Sequence, residues 1–316
     1  MKQVLEILCG LPASGKSFYA KEKCLNNKNY IRVNRDSIRL MLQENYQFGN
    51  YKFEDVVTDA CEATVKSALL KGLNIIIDDT NLNPKVINNW TRIVEEINLN
   101  NKNKISLEIN NKFLEVSVEE CIKRDYERGI QGKPSVGEQV ILQMALRYNL
   151  INIDKCIFLD VDGTAIDCSE RRQKSLMDNG KINFNRFHDF DLLETDKPRY
   201  DIIKEVNYFA KENNCKIIVV SGRSSAKNNS KDKEDIYRWT KNKLKEYGVN
   251  FDFILMRKMN DSRSDVLVKQ DFLNLIGKEK ILKCWDDRRC IVEFFRNNGL
   301  EVRVCDLSDP VNGGDF

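Results

Sequence analysis

The stretch Gly10 to Ser17, "GLPASGKS", sets Gly10, Gly15, Lys16 and Ser17 at the spacing G-x-x-x-x-G-K-[ST]. Glycines in such a loop let consecutive backbone N–H groups turn inward around a phosphate, the lysine neutralises terminal phosphates, and the serine hydroxyl can hold Mg²⁺. An apolar run precedes the loop and the helical run "SFYAKEKCL" follows it, which is the context this chemistry requires. A second apolar run ends in "FLDVDGT" and places Asp160 and Asp162 two residues apart, on the same side of the chain. One carboxylate can then attack phosphorus while the other protonates the leaving oxygen and later activates water, provided a metal lets two acids coexist at close range.

Each of these centres needs further groups, and candidates follow in order. Behind the run "YIRVN" comes "NRDSIR", where Asp36 can accept the proton of an acceptor hydroxyl and Arg39 can clamp an acceptor phosphate. An Asp opening a helix also serves simply as an N-cap. In "KRDYERG", Arg124 and Arg128 share a helical face and can close over a nucleotide, although the same spacing makes a salt-bridged surface helix. "DDTN", Asp78 to Asn81, can position Mg²⁺ or substrate, or cap the helix expected near Pro84. Downstream, "IVVSGR" supplies Ser221 and Arg223 for phosphate oxygens, Lys269 can neutralise a phospho-enzyme, and Asp286 and Asp287 in "KCWDDR" can complete a Mg²⁺ site with Asp160. The metal set expected is thus Ser17 in the first centre and Asp160, Asp162, Asp286 and Asp287 in the second.

The elements that carry these groups read as two α/β domains, each a doubly wound parallel sheet. Strands are predicted at "VLEILCG", "YIRVN", "NIIIDDT" and "KISLEI", separated by helical patterns such as "FEDVVTDACEATVKSALLKG" and "PKVINNWTRIVEEI", with a helical pair, "VEECIKRDYERG" and "VGEQVILQMALRY", closing the first half. The alternation restarts at "KCIFLD" and continues through "KIIVVSG", "FDFILM", "KILKCWDD" and "LEVRVCD". The boundary falls between Asn149 and Lys155, giving domains at residues 1–150 and 151–316. Asp167 to Pro198 reads as a long polar irregular loop, of the kind that is functional or disordered.

Composition narrows the chemistry. The 316 residues suffice for two cores, and 41% hydrophobic with 31% charged residues describes a globular chain without a membrane-length apolar run. Ten scattered cysteines form no C-x-x-C pair, which disfavours a zinc site and suits reduced thiols in a cytoplasmic protein. His188 is the only histidine, so catalysis must rest mainly on carboxylates, Lys, Arg and metal ions. A net charge of +3 neither requires nor forbids a nucleic-acid partner.

The set "DVDGT", "SGR", a Lys and "DD" resembles the haloacid dehalogenase superfamily of phosphatases. Together with the N-terminal loop, "NRDSIR", "DTNLNP" and "KRDYERG", the order over nearly the whole chain, down to the terminal "GDF", resembles the T-even phage type of polynucleotide kinase with 3′-phosphatase activity. The resemblance implies a P-loop kinase domain that uses ATP and Mg²⁺ to phosphorylate 5′-hydroxyl ends of RNA or DNA, and a second domain that removes 3′-phosphates, with 2′,3′-cyclic phosphates as a further substrate. It implies Asp36 as general base, Arg39 as acceptor clamp, Lys16, Ser17 and Arg128 as nucleotide and transition-state groups, and Arg124 as a lid partner. For the second domain it implies Asp160 as nucleophile, Asp162 as acid–base, and Arg223, Asp265, Lys269, Asp286 and Asp287 as supporting groups. Arg186, in "NFNRFHDFDLLETD", corresponds to the family's essential arginine, with Arg171 or Arg172 as alternatives. A downstream nucleic-acid ligase and a homotetramer belong to the same implication, and a membrane does not. Two other readings fit the motifs: a bifunctional kinase and phosphatase of small metabolites, and a nucleotide-binding adaptor without turnover.

Overall fold

A computed structural model of the chain describes residues 3–44, 49–100, 104–227, 230, 232 and 234–305. The "GDF" terminus and Asp306 of the last predicted strand lie outside the described residues. The chain divides into two compact units, Met1–Leu150 and Ile151–Phe316.

In the first unit, β1 (Val4–Leu8), β2 (Tyr30–Val33), β3 (Asn74–Ile77) and β4 (Ser106–Asn110) form a parallel sheet in the order β2-β3-β1-β4. The two inner strands carry the most continuous apolar runs because helices cover both of their faces. Leu5, Ile7, Leu8, Ile75, Ile76 and Ile77 are fully buried there. Glu6 interrupts the run and is buried too, but its carboxylate accepts from Tyr19 Oη at 2.9 Å, Lys23 Nζ at 2.7 Å and Asn110 Nδ2 at 2.7 Å, so its desolvation is offset.

Around the sheet run α1 (Lys16–Asn26), α2 (Arg35–Gln43), α3 (Tyr51–Leu70), α4 (Pro84–Asn100), α5 (Val118–Ile130) and α6 (Glu138–Arg147). Asn34 caps α2, accepting from Ser37 N at 3.0 Å. Asp36 is therefore released from that duty. Glu54 on α3 joins α3 to α2: its carboxylate takes both arms of the Arg39 fork, at 2.9 and 2.7 Å, and Arg35 at 3.1 Å.

The second unit has a five-stranded parallel sheet, ordered β11-β10-β5-β8-β9, from β5 (Cys156–Leu159), β8 (Lys216–Ser224), β9 (Phe253–Arg257), β10 (Ile281–Asp286) and β11 (Val302–Val304). Its helices are α10 (Tyr200–Glu212), α11 (Asp235–Glu246), α12 (Asp265–Ile276) and α13 (Arg289–Asn297). β5 is central and almost wholly apolar, as a strand with both faces covered must be.

The segment after β5 differs from the expected loop. It holds a small antiparallel pair, β6 (Ile166–Asp167) with β7 (Lys197–Pro198), and three short helices between them: α7 (Ser169–Lys174), α8 (Phe184–Phe187) and α9 (Phe190–Leu193). Elements of four to six residues show no periodicity in a sequence. They are fixed instead by what they bury: Phe187, Leu192, Leu193 and the whole of Arg171. Among the described residues no helix is long and apolar enough to cross a membrane and no cysteine forms a disulfide, seven of the ten being buried.

Glu54 supplies a test of the first unit's architecture. Hydrogen bonds from Arg39, outweighing the cost of burial, lower its pKa from 4.5 to about 2. A carboxylate depressed on folding contributes stability above its unfolded pKa and loses it as pH falls toward the folded value, here through the window from about 4.5 to about 2. Glu54→Gln is expected to lower the melting temperature at pH 7 by an amount worth about 3 kcal/mol, and the gap from wild type to close as thermal melts are taken from pH 5 down to pH 3.

Candidate active sites

In both sheets the groups of interest stand at the C-terminal ends of the strands, where ligands of open parallel sheets bind. Gly10 to Gly15 follow β1 and lead into α1, whose first residue is Lys16. The Lys16 ammonium is buried and folded back on the loop, donating to the carbonyls of Gly10 at 2.9 Å and Leu11 at 2.6 Å and to Ser14 Oγ at 3.1 Å. Burial brings its pKa down to about 8, against the opposing pull of Asp78. An arriving polyphosphate would supply the anion that this buried cation lacks. Ser17 Oγ lies 3.2 Å from Asp78 Oδ1 at the end of β3, and a hydroxyl beside a buried carboxylate is a donor pair that suits Mg²⁺.

Asp36 and Arg39 stand on α2, linked at 2.5 Å. The Asp36 side chain is 58% exposed while that of Arg39 is only 11% exposed. The pair therefore offers a solvent-facing carboxylate beside a cation locked by Glu54. Asp79 accepts from the Arg35 backbone N–H at 3.0 Å, and burial pushes its carboxyl up to about 6. The "DDTN" residues thus serve α1 and α2, while the side chain that accepts at the start of α4 is Asn83, from Lys85 N at 3.0 Å. On α5, Arg124 pairs with Glu120 at 2.7 Å on an exposed face, and Arg128 donates to the Pro134 carbonyl at 2.6 Å. The structure does not bring these two arginines to Asp36 through any hydrogen bond, and Cys121, one turn earlier, lies near enough to Lys16 to feel its charge.

In the second unit Asp160 follows β5, with its N–H bonded to the Trp285 carbonyl of β10 at 3.0 Å. Lys269 of α12 reaches it at 2.7 Å and also bridges to Asp286. Asp160, Asp286 and Asp287 each present an oxygen within 4.8 Å of the others. Burial raises the pKa of Asp160 in spite of Lys269, and burial together with Asp286 carries Asp287 up to about 7. Three crowded acids sharing one lysine are under-neutralised, a donor set that suits a hard divalent cation.

The carboxylate of Asp162, expected as a ligand of the same metal, is turned elsewhere. Arg171 and Arg223 both bind it, and both also bind Asp196, at 2.8 and 3.2 Å. Burial works to raise the Asp162 pKa, but the two guanidiniums outweigh it and hold the group well below the usual carboxylate range. Asp196, facing the same arginines, is nonetheless pushed by burial to about 6. Arg186, read as the essential arginine, is exposed and paired with Asp189 at 3.1 Å and Asp191 at 3.2 Å. Arg171, the alternative, is the one that pairs with Asp162 and Asp196.

Ser221 and Arg223 lie where β8 breaks register with β9, between Ser221 and Ser224, a bulge that re-aims the strand end. Gly222 and Gly163 serve close approach: a Cβ on Gly222 would stand 2.7 Å from the Asp265 carboxyl, and one on Gly163, whose φ is +83°, 2.0 Å from Asp287 Oδ2. Asp265 does not reach Asp160 directly; it fixes Arg257 and Arg288. A cavity of about 1150 Å³ covers these groups, walled by Asp160, Asp162, Ser221, Arg223, Asp265 and Arg288 among others.

Fold and sites together define a P-loop phosphotransferase domain followed by a haloacid dehalogenase-type phosphatase domain. Residues 5–151 match the family described as AAA domain, and residues 154–309 match the polynucleotide kinase PNKP phosphatase domain. Each match covers just under half of the chain, and the two fall on the two compact units in turn. It is similar to a protein of Autographa californica nuclear polyhedrosis virus named as a candidate bifunctional polynucleotide kinase/RNA ligase, with 26% identity over 326 residues, covering 94% of this chain and 41% of that protein. The chain thus spans about two fifths of that relative's length. Among solved structures it is similar to a chain of the Pnkp1/Rnl/Hen1 RNA repair complex, at 24% identity and a TM-score of 0.40 over 98% of this chain and 97% of the other. A second Pnkp1/Rnl/Hen1 complex gives 25% identity and a TM-score of 0.37 over 98% of each chain.

Arg171 and Arg186 separate by mutation. Removing one partner of a buried ion pair costs roughly 3–5 kcal/mol, so Arg171→Ala is expected to abolish phosphatase turnover and lower the second unit's melting temperature. Arg171→Lys, lacking the planar fork, is expected not to restore activity. Arg186→Ala should leave turnover of a phosphate ester within about twofold, consistent with the small worth of exposed pairs.

Proposed function

We propose that this protein heals nucleic-acid ends, transferring the γ-phosphate of ATP to 5′-hydroxyl termini and hydrolysing 3′-phosphates, including those opened from 2′,3′-cyclic esters. The observation that carries the reading is the presence, in one chain, of a lysine-closed phosphate loop with the Asp36–Arg39 pair and of the Asp160–Lys269–Asp286 centre, the latter within residues that match the polynucleotide kinase phosphatase domain.

In the kinase reaction the loop N–H groups and Lys16 hold the phosphates, Asp36 takes the proton of the 5′-hydroxyl, that oxygen attacks the γ-phosphorus, and ADP leaves. Arg39, fixed by Glu54, holds the 3′-ward phosphate of the acceptor, and Arg128 with Arg124 lies over the nucleotide. Bound at Ser17 and Asp78, Mg²⁺ would neutralise charge on the phosphates.

In the phosphatase reaction the Asp160 oxygen attacks phosphorus, the bond to the 3′ oxygen breaks, and Asp162 supplies the proton to the departing alcohol. Water then attacks the aspartyl-phosphate, giving up its proton to Asp162. A phosphate dianion entering the cavity competes with Asp162 for Arg171 and Arg223, which weakens the hold that keeps Asp162 ionised and suits it to carry a proton. Ser221, Arg223 and Lys269 receive phosphate oxygens, Asp265 orients Arg257 and Arg288, and Asp286 and Asp287 with Asp160 would hold Mg²⁺. A ligase acting on the healed ends, a homo-oligomeric state and a cytoplasmic setting belong to the same proposal.

The experiment is a single incubation with Mg²⁺, γ-labelled ATP and an oligonucleotide bearing a 5′-hydroxyl and a 3′-phosphate, with both ends followed. Label gained at the 5′ end and phosphate lost from the 3′ end are expected. Asp36→Asn should lower 5′ labelling by a factor on the order of 10²–10⁴ with 3′ hydrolysis unchanged, and Asp160→Asn should do the reverse. Turnover of small sugars or alcohols with no change at either oligonucleotide end would replace the reading with that of a metabolite enzyme.

A further inference from the structure

The phosphatase cavity is larger than its chemistry requires. A phosphoryl group occupies a small part of about 1150 Å³, a volume just above that of pockets that enclose whole organic ligands, roughly 300–1,000 Å³. Part of its wall is aromatic, formed by Phe184, Phe187 and His188. Phe184 and Phe187 sit three residues apart on α8, and the structure uses them differently: Phe187 is buried against the Arg171 guanidinium, 4.0 Å from its ring, whereas Phe184 is 55% exposed and lines the cavity.

A single exposed phenylalanine is ordinary on a protein surface. Its surroundings here are not. The ring of Phe184 lies nearly parallel to the His188 imidazole, at 28° with centroids 6.5 Å apart, and Phe187 meets both rings edge-on at 6.3 and 5.5 Å. Edge-to-face contacts of this kind are favoured by the ring quadrupoles, and they leave Phe184 more than half exposed. This aromatic set joins the reaction centre through Arg171, which binds Asp162 on one side and donates to the Phe187 carbonyl at 3.1 Å on the other. Lys227 lines the same cavity, paired there with Asp189 at 2.8 Å.

We infer that Phe184, backed by His188, is the platform on which the terminal nucleobase of a 3′-phosphorylated strand stacks, so that the phosphatase site grips its substrate by the last base as well as by the phosphate. This rests on the reading of the site as a polynucleotide 3′-phosphatase. Stacking is tolerant of base identity because every base has a π-face, so the platform selects for the presence of a base rather than its kind.

The test compares two oligonucleotides of one sequence, one ending in a nucleoside 3′-phosphate and the other in an abasic 3′-phosphate. Wild type should favour the substrate with the base by roughly tenfold or more in kcat/KM, mostly through KM, given a stacking contribution of about 1–3 kcal/mol per base. Phe184→Ala should bring that ratio close to one by losing the base-bearing substrate alone, and Phe184→Tyr should keep it. Equal preference in wild type and Phe184→Ala, with thermal melts matching, would overturn the inference and leave the phosphatase reading standing. Hydrolysis of neither oligonucleotide by wild type, with a small phosphate ester still consumed, would remove the phosphatase reading and the inference together.

Discussion

Burial of charge governs this molecule more than any other constraint. Each sheet brings carboxylates to the end of an apolar central strand, where water cannot solvate them, and a buried ion is tolerable only with a partner. Lys269 answers Asp160 and Asp286 at once, and Arg171 and Arg223 answer Asp162 and Asp196 in a closed square of two cations and two anions. The helices that deliver these cations are placed by that requirement. α7 is one and a half turns long, too short to hold itself by backbone bonds alone, and it stays where it is because Arg171 is wholly buried in the square.

The same constraint operates with a different balance in the first unit. Lys16 is buried against carbonyl oxygens rather than carboxylates, and its lowered pKa reports a cation held short of a counter-ion. Arg39 is over-supplied instead, with Glu54 taking both arms of its fork and Asp36 the remaining side. The first arrangement favours an incoming polyanion; the second keeps a guanidinium in one orientation whether or not an acceptor is present. Preorganised cations of the second kind lose little on binding, since their ordering has already been met in folding.

What could be read from the chain beforehand follows from how local the signals are. Parallel strands with both faces covered announce themselves as apolar runs, and the residues just beyond them are the site, so Lys16, Asp36, Asp160, Ser221, Arg223 and Asp286 stand out without a structure. Glu54 gives no such signal: it sits in the first turn of an amphipathic helix, where acids are common for reasons of the helix dipole. Asp196 is hidden, and Arg171 is legible only as one of three candidate arginines, because the helices of that segment span four to six residues, below the length at which a period can be counted. Arg186 drew attention through its neighbours, and its neighbours are what occupy it, Asp189 and Asp191 holding it at the surface. The alternative use of Asp36 as a cap was settled by one residue, since Asn34 fills that position.

The modest net charge of +3 is compatible with a polyanionic ligand because the cations that matter are not surplus charge on a surface. Arg171, Arg223 and Lys269 are balanced by buried acids and add little to the field at a distance, while Arg223 also lines the same cavity as Asp160. Such a site attracts weakly from afar and holds strongly at contact, because inside a low-dielectric cavity the exchange of a carboxylate partner for a phosphate dianion involves large and nearly cancelling energies. Selectivity then has to come from groups that do not exchange. In the second unit one such constraint is the fixed spacing between Asp160 and Asp286 across the neighbouring strands β5 and β10.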